Sequence, residues 1–146
     1  MKQYEDTLAF VPDLTTIYGT YTVARLLRFH DGDTFQCDVA GLPDIVGKAI
    51  EIRCQHYDTP ELHDSRPEVQ KLAQLAQAFV QKRLLGAKVV TLQTLKRDKY
   101  FRLLADIYID GMPLAVDVMN AKLAHQYGGG AKNEDWTDCL KANKLI

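Results

Sequence analysis

Cysteine is scarce in this chain of 146 residues, and the few copies are scattered. Cys37, Cys54 and Cys139 form no Cys-x-x-Cys pair, and an odd number cannot complete a disulfide framework. These features argue against a zinc ribbon, a dithiol redox centre and a disulfide-stapled scaffold. Because Cys37 and Cys54 fall in strand-like runs, we predict that both are buried free thiols.

Long apolar runs are also missing. No stretch of about 18 residues is apolar enough to span a membrane. The mixed, polar residues 1–13 lack the apolar region of a signal peptide. We therefore predict a cytoplasmic protein without membrane contact. A secreted or periplasmic protein whose signal peptide had been removed would carry the same sequence.

Charge is nearly balanced overall, with a net value of -1, so the summed field does not indicate a polyanionic partner. Its distribution is uneven, because residues 82–102 hold seven basic side chains and one acidic one, Asp98. Such a run is typical of a solvated face. It also surrounds one of the motifs described below.

The hydrophobic pattern predicts one domain over residues 1–146, with a core at about 20–127. Strand signals occur at about residues 20–29, 33–39, 48–57, 89–92 and 102–109. Asp31-Gly32 is a hairpin turn pair, and Asp110-Gly111 closes the last strand. Five short strands with a helix after the third predict an α+β, mainly β chain: a five-stranded OB-fold barrel with about three helices.

The clearest helix signal lies between residues 65 and 86, where apolar residues recur at helical spacing. Ser65 and Glu68 resemble a capping box, and Pro67 suits a first helical turn. Shorter helices are predicted at about 114–123 and 133–144.

Three segments carry ionisable residues in patterns that suggest chemistry. They are Asp31-Gly32-Asp33-Thr34, the run from Arg53 to Asp58-Thr59-Pro60-Glu61, and residues 98–105, which read Asp-Lys-Tyr-Phe-Arg-Leu-Leu-Ala. Taken singly, each has an ordinary explanation as a solvated turn or a surface ion pair. No two histidines of the chain have the sequence spacing that is typical of a zinc site.

Together, and in this order, the three segments resemble the staphylococcal nuclease family. Its pattern is Asp-Gly-Asp-Thr, then Arg followed shortly by Asp-Thr-Pro-Glu, then Asp-x-Tyr-Gly-Arg-x-Leu-Ala. The likeness covers about residues 20–127. It implies that Asp33 and Asp58 bind Ca²⁺ together with the backbone carbonyl of Thr59, and oxygen ligands are what this hard cation prefers.

The resemblance also implies a catalytic set of Arg53, Glu61 and Arg102. The glutamate orients or deprotonates the attacking water, and whether it is a true general base stays open. The two guanidinium groups bind the phosphate oxygens that gather charge in the transition state. The implied substrate-binding residues are Lys99 and Tyr100, against a neighbouring phosphate, and Tyr127, against a nucleotide.

The implied protein is a monomeric, calcium-dependent nuclease that hydrolyses DNA and RNA to 3′-phosphate products. A catalytically inactive OB-fold module that binds nucleic acid is the main alternative, and a structural or protein-binding domain is another. The inactive module would be expected to lose one or more of the charged residues, and here the set is complete.

The sequence departs from the family pattern at two glycine positions. Phe101 stands before Arg102, and Lys122 stands where a glycine normally ends the short helix. Strand alternation places Phe101 on one apolar face with Leu103, Ala105 and Ile107, and it places Arg102 on the other face. We therefore predict that Phe101 packs under the barrel rim.

Overall fold

The computed structural model describes residues 16–146 of the chain. The strands and helices follow one another as β1 Thr16–Asp31, β2 Thr34–Val39, α1 Asp44–Gly47, β3 Ile50–Cys54, β4 His56–Asp58, α2 Pro67–Leu85, β5 Val90–Arg97, β6 Leu103–Ile109, β7 Met112–Pro113, α3 Leu114–Asn120, β8 His125–Tyr127 and α4 Thr137–Ala142. No helix of this part of the chain is long and apolar enough to cross a membrane.

Five strands close into a barrel. β1 pairs with β2 and β5, β2 pairs with β3, and β5 pairs with β6, all antiparallel. The barrel closes where β3 runs parallel to β6, with Arg53 opposite Leu104. This mixed five-stranded barrel, with the long helix between its third and fourth strands, confirms the predicted OB-fold.

The core lies between the barrel and helix α2. The inward positions of the strands are filled by side chains such as Phe35, Ile52, Leu92 and Ala105, which are fully or almost fully buried. Helix α2 buries the face predicted from its spacing, made of Val69, Leu72, Ala73, Ala76, Val80 and Leu84. Cys37, Cys54 and Cys139 are buried free thiols, as predicted for the first two.

Several local predictions are wrong in detail. The predicted strand at 48–57 breaks into β3 and β4, because His56 has a φ of 76°. The N-cap of α2 is Arg66 rather than Ser65, and no side chain caps this end, although Pro67 begins the helix as predicted. The short elements α1, β7 and β8 were not predicted.

The predicted position of Phe101 is also wrong. Leu103, Ala105 and Ile107 are buried, but Phe101 lies outside β6, is 45% exposed and has a left-handed φ of 62°. Its ring lies under the guanidinium of Arg97, whose Cζ is 4.7 Å from the ring centroid. The glycine of the family pattern therefore stands where the backbone adopts a left-handed conformation. Strand alternation does not extend back to this residue.

Candidate metal and phosphate site

Two buried aspartates meet at one end of the barrel. Asp33 lies in the tight turn between β1 and β2, and Asp58 ends β4. Two hydrogen bonds hold this turn in place. The Tyr57 hydroxyl donates to the Gly32 carbonyl at 2.7 Å, and the Cys54 N–H donates to the Asp33 carbonyl at 2.8 Å. The Thr59 N–H donates to Asp33 Oδ2 at 3.0 Å, which ties the two segments together.

Arg53 lies beside both aspartates, because β3 pairs Arg53 with Thr34, the residue after Asp33. Its Nη1 is 3.3 Å from Asp33 Oδ2, and its Nη2 is 3.2 Å from Asp58 Oδ1. Nη1 also donates to the carbonyls of Cys54 and Tyr57. The guanidinium is thus held rigidly in a site where only 8% of the residue is exposed.

A third carboxylate, Asp31, gives this cluster an excess of negative charge. Burial, and then the hydrogen bond and charge of Asp33, raise the pKa of Asp31 to about 7. Burial and the charge of Asp33 likewise raise the pKa of Asp58 to about 6. Burial opposes ionisation of Asp33 too, but the charge of Arg53 and several hydrogen bonds still lower its pKa.

Lys132 is a residue of this site that the sequence did not predict. Its Nζ lies 3.3 Å from Asp58 Oδ1 and 3.7 Å from Glu61 Oε1. The Glu61 side chain is itself 70% exposed, so it faces solvent beside the buried aspartates. Lys132 follows the stretch Gly128-Gly129-Gly130, and nothing in that local pattern signals a contact with a distant strand.

The structure places Arg102, Lys99 and Tyr100 on the loop between β5 and β6. Asp98 organises this loop, because its Oδ1 accepts from the N–H groups of Tyr100 and Arg102. Its Oδ2 accepts from Arg102 Nε at 2.7 Å. Burial would raise the pKa of Asp98, but these hydrogen bonds outweigh it and lower that pKa.

The ring of Tyr100 lies between two cations. Lys99 Nζ is 5.2 Å and Arg102 Cζ is 5.3 Å from its centroid. Arg102 makes no ion pair with Asp33, Asp58 or Glu61, so the structure does not bring it into the carboxylate cluster. Leu104, which pairs with Arg53 in the parallel β3–β6 ladder, lines the same cleft as Arg53, and Arg102 directly precedes β6.

Tyr127 lies against the same wall of the barrel. It pairs with His56 in the β4–β8 ladder, and Arg53 Cζ is 5.7 Å from its ring centroid. A cleft of about 310 Å³ opens here, lined by Arg53, Cys54, Gln55, His56, Lys96, Leu104, Tyr127, Gly128 and Gly129. Tyr127, predicted from the sequence as a substrate-binding residue, therefore shares the cleft with Arg53.

The residues of the cluster fit a hard divalent cation. Asp33 and Asp58 supply carboxylate oxygens, and their mutual repulsion is part of what raises the pKa of Asp58. The hydroxyl oxygen of Thr59 is buried and has no hydrogen-bond partner among the described residues. A buried oxygen without a partner beside repelling carboxylates is an environment that a cation stabilises.

The family comparison agrees with the fold and the motifs. The family model described as Staphylococcal nuclease homologue matches residues 51–144, a range that contains every predicted site residue except Asp33. No curated protein matches the chain. Because the family model covers more than half of the chain, and the barrel has the topology expected for it, the chain belongs to the staphylococcal nuclease homologue family.

Proposed function

We propose that this protein is a calcium-dependent nuclease that hydrolyses phosphodiester bonds of DNA and RNA, with 3′-phosphate products. The observation that carries the proposal is the pair of buried aspartates beside Arg53, next to an exposed glutamate and an open cleft. Family membership supports it, because the matched range, residues 51–144, contains Arg53, Asp58 and Glu61.

Asp33, Asp58 and the backbone carbonyl of Thr59 would hold Ca²⁺. When bound, the ion supplies a positive charge that stabilises a phosphate oxygen as negative charge gathers there. Arg53 has two roles. It balances the carboxylates from one side, and it faces the cleft, where a guanidinium suits a phosphate group.

Glu61 has the exposure that a group needs in order to meet a water molecule. Its carboxylate accepts a hydrogen bond from the attacking water, or takes its proton, beside the bound phosphodiester. Arg102 lies on the loop that bears Lys99 and Tyr100, held to Asp98 through Nε. Its terminal nitrogens then donate to the phosphate while Asp98 fixes the guanidinium plane.

The cleft suits a nucleotide. Tyr127 offers an aromatic face, and Leu104 adds apolar surface. Aromatic stacking accepts any base, and the neighbouring cations Lys96 and Arg53 attract the backbone. These features favour recognition of a single strand without strong sequence preference.

The inactive nucleic-acid-binding module remains the second candidate, for one reason. Lys132 and Arg53 already form ion pairs with Asp58, so the carboxylates have positive partners without any metal. In that case the cleft would bind nucleic acid and leave it intact. Cleavage and binding therefore have to be measured on the same preparation.

The test uses end-labelled single-stranded DNA and RNA oligonucleotides with Ca²⁺. Arg102→Ala should lower the cleavage rate by about 10³–10⁵-fold, as for arginines that stabilise transferring phosphoryl groups. Glu61→Gln should also be severely impaired while staying folded, and the control Arg25→Ala, an exposed residue of β1, should be unchanged. Full activity of Arg102→Ala, or binding without cleavage by the wild type, would overturn the proposal.

A further inference from the structure

A histidine, an aspartate and a cysteine meet where β8 lies against α4. One ring nitrogen of His125, one carboxylate oxygen of Asp138 and the sulfur of Cys139 lie within 4.8 Å of one another. The His125 Nε2 to Asp138 Oδ1 distance is 3.1 Å. Over residues 16–146 this is the one group of three histidine, cysteine or acidic side chains that converges so closely.

We propose that His125, Asp138 and Cys139 form a binding site for a divalent transition metal, zinc above all, with water as the fourth ligand. Imidazole nitrogen, thiolate sulfur and carboxylate oxygen are the ligand types that zinc takes in tetrahedral sites. Bond lengths of about 2.0–2.3 Å place tetrahedral ligands roughly 3.3–3.7 Å apart. The histidine and aspartate atoms, 3.1 Å apart, would have to separate slightly, and the sulfur lies within 4.8 Å of both.

The surroundings hold two ligands rigid and leave the third open. The His125 ring stacks on Trp136, with centroids 4.0 Å apart and planes 5° from parallel. Cys139 is 1% exposed, whereas the Asp138 side chain is 67% exposed. An ion and its water therefore have a path from solvent through the aspartate, while the histidine and the cysteine are fixed by packing.

The protonation of His125 and Cys139 has to change when a metal binds. His125 Nε2 donates to the Asp138 carboxylate, which only accepts, while Nδ1 is buried without a hydrogen-bond partner among the described residues; a metal bound at Nε2 would therefore need the other tautomer, with the proton on Nδ1. Burial, and then the charge of Asp138, raise the pKa of the Cys139 thiol to about 11.

The proposed metal site would join the two ends of a loop whose residues reach the cleft and the carboxylate cluster. Its ligands stand at the two ends of residues 126–137, a segment that contains Tyr127 and Lys132. In the β4–β8 ladder His125 also pairs with Asp58. A metal at this point would tie β8 to α4 and hold Tyr127 at the cleft and Lys132 at the carboxylate cluster, independently of the proposed nuclease activity.

Cobalt is the probe for this site. The full-length protein, reduced and freed of metals, is titrated with Co²⁺ in saturating Ca²⁺, so that the carboxylate cluster is not available to cobalt. We expect the near-ultraviolet band of thiolate-to-cobalt charge transfer together with the visible bands of tetrahedral Co²⁺. Cys37→Ala, at a buried thiol in β2, should keep these bands.

Loss of the bands in Cys139→Ala and His125→Gln, with circular dichroism unchanged, would support the site. Asp138→Asn, at an exposed position that cannot disturb folding much, should weaken Co²⁺ binding at least about 10-fold. Absence of the charge-transfer band from the folded wild type at millimolar Co²⁺, or its persistence in Cys139→Ala, would overturn the proposal. A plain hydrogen-bonded His–Asp pair beside an inert thiol gives this negative result.

Discussion

Asp31 and Asp33 are two residues apart, and their pKa values are shifted in opposite directions. Burial and the charge of Asp33 hold the pKa of Asp31 at about 7, while Arg53 and hydrogen bonds keep the pKa of Asp33 low. Near neutral pH the pair thus holds up to one proton. Displacing that proton is one of the changes that a bound cation would bring about.

Replacing Asp31 with asparagine should change how stability depends on pH. Because its pKa is higher in the folded chain, the folded state binds more protons. The wild type therefore loses stability as pH rises from 3.8 towards about 7, and asparagine lacks this loss. Urea unfolding in chelator at about pH 5 and about pH 8 measures the free energy of unfolding of both proteins. The value for Asp31→Asn, relative to the wild type, should be larger at the higher pH. An equal difference at both would contradict the raised pKa.

Lys132 is a cation held by the chain where Ca²⁺ is proposed to bind. Lys132→Ala removes the positive charge 3.3 Å from Asp58 Oδ1, so it should tighten Ca²⁺ binding. A partly exposed ion pair contributes about 0.2–1 kcal/mol, which corresponds to about 1.4- to 5-fold in affinity. Calorimetric titration measures this, with Lys141→Ala in α4 as the exposed control. Equal Ca²⁺ affinities of Lys132→Ala and wild type would show that the lysine does not compete.

At the scale of elements, the barrel strand β3 places Arg53, whereas the turn after β1 and the end of β4 place the two aspartates. The turn between β1 and β2 must approach two other segments. A Cβ added to Gly32 would lie 2.7 Å from Thr59 Cγ2 and 3.0 Å from the Cβ of Ala76 in α2. The turn, the end of β4 and the long helix therefore meet at a point where a side chain does not fit.

Gly32→Ala should destabilise the fold by about 1–3 kcal/mol, the usual cost of overpacking. It should also weaken Ca²⁺ binding, since Thr59 and Asp33 are the residues that have to move. Gly128→Ala is the matched control, because a Cβ there meets nothing within 4 Å. Denaturant unfolding of both variants decides the matter. If Gly32→Ala is as stable as Gly128→Ala, the close packing of this turn is not a constraint.

The loop between β5 and β6 gives a further prediction, at Phe101. A buried phenylalanine would cost about 3–5 kcal/mol to remove, but this ring is exposed and its backbone is left-handed. Phe101→Gly relieves roughly 1 kcal/mol of backbone strain and loses a cation–π contact of similar size, so its stability should stay within about 1 kcal/mol of the wild type. Thermal and urea unfolding test this. A loss of more than about 3 kcal/mol in the free energy of unfolding would show that the Phe101 ring is buried after all.

Local patterns predicted helix α2 and the barrel strands, because their apolar residues repeat with the period of the element. They missed the break after β3, where His56 begins β4 with a positive φ and pairs with Asp106 of the neighbouring strand β6. They also misplaced Phe101, because its conformation follows from the hydrogen bonds that Asp98 accepts. Such features depend on contacts outside the periodic pattern.

The site could be predicted only in part. Asp33, Asp58 and Arg53 stand in motifs that resemble a family, and the structure brings them together. Lys132 carries no motif and approaches Asp58 from a segment far away in the sequence. The third carboxylate, Asp31, begins the Asp-Gly-Asp-Thr motif, but its raised pKa follows from burial, which a sequence does not reveal.

For the whole molecule, the balanced net charge of -1 hides a separation of charge. Three carboxylates meet in one cluster (Asp31, Asp33 and Asp58), and the basic side chains of Arg53 and Lys96 line the cleft beside it. Closure of the barrel between β3 and β6 brings these two regions to the same wall. We propose that this arrangement attracts a polyanion locally and holds a cation at the point of contact.

The most direct measurement is cleavage of supercoiled plasmid DNA by the wild type. With millimolar Ca²⁺ we predict nicked, then linear, then short products. Excess chelator should stop the reaction, and renewed Ca²⁺ should restore it. Intact plasmid after incubation with folded protein, under conditions where calorimetry shows Ca²⁺ bound, would contradict the assignment of this site to phosphodiester hydrolysis.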